Sequence, residues 1–374
     1  MKRFGFITTL EFVPNGGSED LWVQTATRLL EKKEFLVGAN VKRWNPTPKH
    51  IQALIAAGCV VQERDIGQGW RRRLANRLRY PFNPVAGEFR WFDEFQPEFV
   101  LISQSFYGCG VRWMEECIRR HIPYAVVCHL AAENFWLHDE AAARALNCLN
   151  AAKGVFFVSH ANLELSQMQL ATRFSNASVV KNPVKLPPVQ APPFPSMEGA
   201  IKMAFIGRLE PYPKGLDLLF QVLAMEKWRG RNLEVHLFGD GVCAETTLRL
   251  KDLMALDRVF IRGFSGVDAI WQECHALVLP SRMEGLALVM LEAMARGRPV
   301  VATDVGGCRE VLEDNFNGFV ASAPTVLDLD EAMERAWQRR EDWVNVGDAA
   351  RKKAMKFIPQ NPIGDFVSRL KNLL

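Results

Sequence analysis

Two cations, Arg208 and Lys214, lie in the stretch Phe205-Ile-Gly-Arg-Leu-Glu-Pro-Tyr-Pro-Lys-Gly215. A strand ends there, Gly207 lets the backbone turn, and a helix opens at Leu216. Cations beside a helix N-terminus suit an anion, because the free N–H groups and the helix dipole add to the side-chain charge. A guanidinium with an ammonium suits a diphosphate. Two solvated loop cations are the competing reading of these residues. Further on, Leu279-Pro-Ser-Arg-Met-Glu-Gly-Leu-Ala-Leu-Val-Met-Leu-Glu-Ala-Met-Ala-Arg-Gly297 places Glu284 and Gly285 in a loop and Glu292 on the helix that follows. Glu292 lies up to ~12 Å further along at 1.5 Å per helical residue. Carboxylates accept hydrogen bonds from hydroxyl groups, and the N–H groups of Leu286, Ala287 and Leu288 would face phosphates between them. The spacing alone decides nothing, because Glu11/Glu19 and Glu226/Glu234 repeat it; the placement at a strand end is what matters.

Near the start, Asn15-Gly-Gly-Ser-Glu19 follows a first strand and opens a helix. Gly16 and Gly17 permit close backbone approach to a ligand, and Ser18 is a natural N-cap. His129 ends the strand Tyr124–Cys128, where a side chain can enter a site, although a lone histidine also serves packing. His138 and His160 read as structural.

The elements that must hold these residues alternate regularly. Gly5–Thr8, Phe99–Ser103, Tyr124–Cys128 and Gly154–Ser159 read as strands, with helices at Glu19–Lys32, Val111–Arg120 and Asp139–Ala152. Asn182–Ala200 holds six prolines, Pro183, Pro187, Pro188, Pro192, Pro193 and Pro195, a density that excludes helix and central strand. The pattern then restarts with strands Lys202–Ile206, Glu234–Phe238, Val259–Ile261, Ala276–Leu279 and Pro299–Ala302, and ends in a helical Pro362–Leu374. The expected fold is α/β, two doubly wound Rossmann-like domains facing across a cleft, with ligands at the carboxyl ends of the strands. The expected boundaries are 1–182, a linker 183–200, 201–357, and a C-terminal helix 358–374 returning to the first domain.

Composition narrows the class. The 374 residues are 48% hydrophobic and 24% charged, as in a soluble globular protein. No run reaches the ~18 apolar residues of a membrane span, and Met1–Leu10 is too short and polar for a leader and reads as a strand. The eight cysteines form no C-x-x-C pair and no zinc spacing, which predicts reduced thiols, a cytoplasmic location and no metal. Residues 39–87 carry nine Lys or Arg against Glu63 and Asp65, so the net charge of +4 hides a local basic excess of seven. Within it, Trp70–Phe82 interleaves five arginines with apolar residues. It suits peripheral contact with an anionic membrane or an acidic acceptor, or else a solvated helix.

Taken in order, these features resemble the family 4 retaining glycosyltransferases of the GT-B fold. The match comprises G-G-S-E at 16–19, the strand-terminal His129, N-P-V at 182–184, G-R-L-x4-K-G at 207–215 and H-L-F-G-D-G at 236–241. It continues with P-S-R-M-E-G-x6-E at 280–292, R-P-V-V-A-T-D-V-G-G at 298–307 and N-G-F-V at 317–320. It is strong over about 200–320 and looser before. The resemblance implies a nucleoside-diphosphate-sugar donor as substrate, no cofactor and no nucleic acid, with a glycan, lipid or small-molecule acceptor. Arg208 and Lys214 would neutralise the leaving diphosphate, Glu284 would hold the sugar, and Glu292 the ribose. Gly16, Gly17, Gly285, Leu286, Ala287 and Leu288 would line the donor, and His129 would touch the transferred sugar. The base would be read by backbone near Arg262–Phe264. Leu286-Ala287 departs from the Phe-Gly frequent in the family, which leaves the sugar open. No D-x-D suits a metal-bound diphosphate. An epimerase, a phosphorylase with a lysine-bound pyridoxal group, and a non-catalytic nucleotide-sugar binder are the alternatives on the same fold.

Overall fold

The computed structural model describes residues 1–11, 14, 16–65, 89–187 and 191–374. The arginine-rich segment 70–82 lies outside the described residues. The chain divides into two units, Met1–Pro183 with Gln360–Leu374, and Val184–Pro359.

Each unit is built on one parallel sheet. The first holds β1 (Lys2–Thr8), β2 (Phe35–Lys42), β3 (Val60–Arg64), β4 (Phe99–Gln104), β5 (Tyr124–Cys128), β6 (Gly154–Phe157) and β7 (Ala177–Val179), in the order β3-β2-β1-β4-β5-β6-β7. The second holds β8 (Ile201–Ile206), β9 (Leu233–Phe238), β10 (Val259–Gly263), β11 (Ala276–Leu279), β12 (Val300–Thr303) and β13 (Phe319–Ala321), in the order β10-β9-β8-β11-β12-β13. Every residue of β4, β5, β6, β11, β12 and β13 is buried. Parallel strands covered by helices on both faces have no solvent side, which is why they appear as unbroken apolar runs. The winding direction reverses between β1 and β4 and between β8 and β11. Connections there leave on opposite faces and open a crevice at the carboxyl edge.

In the second unit the helix Leu216–Ala224 and the helix Val326–Gln338 bury Leu219, Phe220, Val222, Leu329, Ala332 and Met333 in one core. The proline-rich stretch has no helix or strand among its described residues and is bonded to this unit. The buried Arg298 donates to the carbonyls of Pro192 and Pro193 at 3.2 and 2.7 Å. His275 Nε2 lies 2.9 Å from Ser196 O, and Arg296 donates to Lys185 O at 2.9 Å. The last helix, Pro362–Lys371, is capped by Asn361 and packs on the first unit through Phe366, whose ring stands 5.1 Å edge-on to Phe156.

The helix after β1 runs Gly17–Glu31, and its cap residue is Gly16 with no side-chain cap. Ser18 therefore sits inside the first turn rather than at the cap, because the chain enters helical geometry two residues earlier than its hydroxyl signal suggests. All eight cysteines are free thiols. Among the described residues no helix is long and apolar enough to cross a membrane.

Candidate functional site

The reversal point between β8 and β11 gathers the sequence-predicted residues of the second unit. Gly207 N donates to Phe238 O, and Leu209 N to Asp240 O, both at 3.0 Å, so the loop after β8 is fastened to the loop after β9. Arg208 Nη1 donates to Glu210 Oε1 at 2.8 Å; the Glu210 side chain is 12% exposed and that of Arg208 40%. Carbonyl 210 then accepts from Lys214 N across the short helix Pro211–Lys214. Lys214 Nζ donates to Glu284 Oε1 at 2.6 Å, and Ser281 Oγ donates to the same oxygen at 2.8 Å. Both cations thus come from the loop after β8, and Glu284 from the loop after the adjoining strand β11.

Backbone contacts fix these loops together. Gly215 has φ +66°, and a Cβ there would stand 1.7 Å from Pro280 O, so only glycine allows the approach. Arg282 N donates to Pro213 O at 3.0 Å. The Arg282 guanidinium grips both carboxylate oxygens of Asp217 at 2.6 and 2.8 Å. A third loop, after β12, supports Glu284 from behind. Gly306 (φ +55°) would bring a Cβ to 2.3 Å from Glu284 O. Gly307 N donates to Gly285 O at 2.8 Å, and Thr303 Oγ1 to Ser281 O at 2.5 Å.

The helix Leu288–Ala295 begins at the mouth of this loop, with Ala287 as its cap residue. The first N–H groups of a helix, that of the cap residue included, have no carbonyl partner within it, so the donors at this end are Ala287, Leu288 and Val289; Ala287 and Leu288 belong to the set expected from sequence, and Leu286 precedes the cap. Gly285, Leu286 and Ala287 are buried there, and Glu292 is half-buried one turn in. Arg208 and Lys214 each already hold a carboxylate, Glu210 and Glu284. A bound anion must compete with Glu284 for Lys214, whereas Arg208 is the more exposed cation.

The remaining predicted residues belong to the first unit. Gly16 is extended at φ −160°, and among the described residues a Cβ on it would meet nothing nearer than Leu10 Cδ2 at 3.6 Å. The first turn there carries Glu19 and Asp20. Glu19 is buried and accepts from Thr8 Oγ1 at 2.7 Å, and burial pushes its carboxyl from 4.5 up to about 7. His129 is buried at the end of β5, with Nε2 3.1 Å from Ser103 Oγ. Burial lowers its pKa to about 3, so the imidazole is neutral at physiological pH.

Sequence reasoning missed Glu210, Asp217, Ser281 and Arg282 as parts of the site. Glu210, Ser281 and Arg282 stood inside the quoted stretches and carried a signal; Asp217, 65 positions before Arg282, lay outside them and carried none. Among the described residues no group of three or more His, Cys, Asp or Glu is set to hold a metal ion.

Residues 190–353 match the family described as Glycosyl transferases group 1. The matched stretch lies wholly in the second unit and contains Arg208, Lys214, Glu284 and Glu292, but not Gly16, Gly17 or His129. Among curated proteins, an uncharacterized glycosyltransferase of Methanocaldococcus jannaschii is 30% identical over 156 residues, 41% of this chain and 43% of that protein. The alpha-D-kanosaminyltransferase of Streptomyces kanamyceticus is 33% identical over 135 residues, 35% of each. The chain thus spans under half the length of these relatives. Among solved structures, Anabaena HepE in complex with UDP and glucose superposes with a TM-score of 0.76 at 16% identity, covering 100% of both chains. A Staphylococcus aureus TarM mutant bound to fondaparinux, alpha-GlcNAc-glycerol and UDP gives 0.74 at 14% identity, covering 100% of this chain and 99% of that one. At such identities the likeness concerns the fold, which is the two-domain Rossmann-like fold of GT-B glycosyltransferases.

Proposed function

We propose that this chain is a retaining, metal-independent glycosyltransferase that moves a sugar from a nucleoside-diphosphate-sugar to a glycan, lipid or small-molecule acceptor. The observation that supports it is the convergence of Arg208, Lys214 and Glu284 at one reversal point, inside the stretch that matches the glycosyltransferase family. Arg208 and Lys214 take the diphosphate, with the N–H groups at Ala287, Leu288 and Val289 beside it. Glu292 accepts from the ribose. Both described bonds to Glu284 end on Oε1, which leaves Oε2 as acceptor for a sugar hydroxyl. Gly16 and Gly17 approach the donor, and neutral His129 hydrogen-bonds the transferred sugar.

In the reaction the bond from the anomeric carbon to the diphosphate oxygen breaks while the acceptor oxygen bonds to the same face of that carbon. The acceptor proton passes to the departing phosphate oxygen. Negative charge grows on the diphosphate as the bond breaks, and fixed cations stabilise that transition state more than the ground state. Lys214, drawn from Glu284 to the diphosphate, frees Glu284 for the sugar at the same moment. A peripheral contact of segment 70–82 with an anionic membrane belongs to the same proposal.

A thermal-shift screen of nucleotide-sugars tests the reading, beginning with UDP-glucose, because a bound donor raises the melting temperature. The reading expects a shift with one donor class, turnover insensitive to a chelator, and a product with the donor's anomeric configuration. No shift and no turnover with any donor, or an inverted product, contradicts it.

A further inference from the structure

We infer that Trp136 is the platform on which a pyranose ring of the acceptor stacks, so that the acceptor is a carbohydrate. The inference rests on the glycosyl-transfer reading and narrows its acceptor. Trp136 is 60% exposed, the one exposed tryptophan among those described. A solitary exposed apolar side chain is ordinary on a protein surface; the setting distinguishes this one. It stands in the loop from His129 to His138 that leaves the carboxyl end of β5, the loop whose first residue is assigned to the transferred sugar.

That loop is held firmly. Leu130 N donates to Ser105 O at 2.7 Å, and Gln169 Nε2 to Ala132 O at 2.8 Å. Tyr107 Oη donates to Phe135 O at 2.8 Å, and the Phe106 and Phe135 rings lie 4.8 Å apart. Leu137, on the other side of Trp136, packs on the buried core. The backbone at Trp136 is thus held through both neighbours while its own ring faces solvent, so the loop is already ordered and only the side chain remains to be ordered on binding. Around it the chain exposes Glu133, Asn134, His138, Asp139 and Glu140. An aromatic face takes the apolar C–H face of a pyranose, and carboxylate and amide oxygens accept from its hydroxyl groups. The three carboxylates repel anionic lipid headgroups, which sets this patch against a membrane role.

The test uses the full chain, with Trp136→Ala and Trp136→Phe. Retention is measured on an immobilised panel of pyranose-terminated oligosaccharides and on phosphatidylcholine vesicles with and without phosphatidylglycerol. Calorimetry with UDP and GDP reports the donor site separately. The expected result is retention of the wild-type chain by a subset of the glycans, a loss of about tenfold in affinity in Trp136→Ala and a smaller loss in Trp136→Phe, with nucleotide binding equal in all three. Retention by no glycan, equal retention of wild type and Trp136→Ala, or Trp136-dependent binding to vesicles alone overturns the inference. Absence of nucleotide binding in the wild type instead overturns the glycosyl-transfer reading beneath it.

Discussion

Lys214 and Glu284 meet at 2.6 Å with side chains 17% and 14% exposed, so removing either strands the charge of the other. Lys214→Ala leaves Glu284 facing the diphosphate without compensation. It should weaken nucleoside-diphosphate binding well over tenfold, a loss of roughly 2 kcal/mol or more. Glu284→Gln should bind the bare diphosphate at least as tightly as wild type while losing transfer, and the double variant should recover part of the lost affinity; titration calorimetry beside a transfer assay measures both. At Glu19 the consequence is pH-dependent. Burial raises its folded pKa to about 7 against 4.5. The stability linked to its proton is full below pH 4.5, declines as pH rises, and is gone above about 7. Glu19→Gln stays neutral throughout, so its stability relative to wild type should rise by about 3 kcal/mol between pH 4.5 and 8. Denaturant melts at both pH values check this, and a pH-independent difference contradicts it. His129 acts in the opposite sense: its folded pKa of about 3 lies below its ordinary 6.5, so its contribution is lost as pH falls from 6.5 towards 3.

Four loops at the carboxyl edge of the second sheet form the next scale, and their mutual fit is stricter than their composition suggests. Gly215→Ala has to relieve both a positive φ and a 1.7 Å clash with Pro280 O. It should cost about 3 kcal/mol of stability and weaken nucleotide binding, since Lys214 is the adjoining residue; a variant melting like wild type contradicts this packing. The strands that carry these loops were legible because full burial wrote them as apolar runs: β5 and β11 have the limits that sequence predicts. β2 escaped because Gly38 and Asn40 interrupt Phe35–Lys42, and β3 because its exposed Val60 and polar Gln62 and Glu63 look like a loop. β7 and β13 hold three residues each, too few for periodicity to register. In the candidate site, Arg208, Lys214 and Glu284 were singled out by type and placement at strand ends, and the family resemblance then favoured a diphosphate over two solvated loop cations. The bracing by Arg282–Asp217 and Gly306–Glu284 was not, because it arises only when distant loops meet.

At the scale of the whole molecule, the chain begins and ends in the same unit. Phe366, Val367 and Leu370 of the last helix are buried there, and Arg369 donates to Val179 O at 2.9 Å. Phe366→Ala should cost about 3 to 4 kcal/mol and lower the first unit's melting transition while leaving nucleotide affinity unchanged; a loss of affinity would show that the two properties are not separable. Nucleotide binding is assigned chiefly to the second unit, through two cations on one loop, and that assignment is the central claim. Titration calorimetry of the full chain with UDP, or with whichever nucleoside diphosphate the donor screen selects, tests it most directly. The account predicts that Arg208→Ala and Lys214→Ala each lose more than tenfold in affinity while His129→Ala stays near wild type. Wild-type affinity in both cation variants would contradict it.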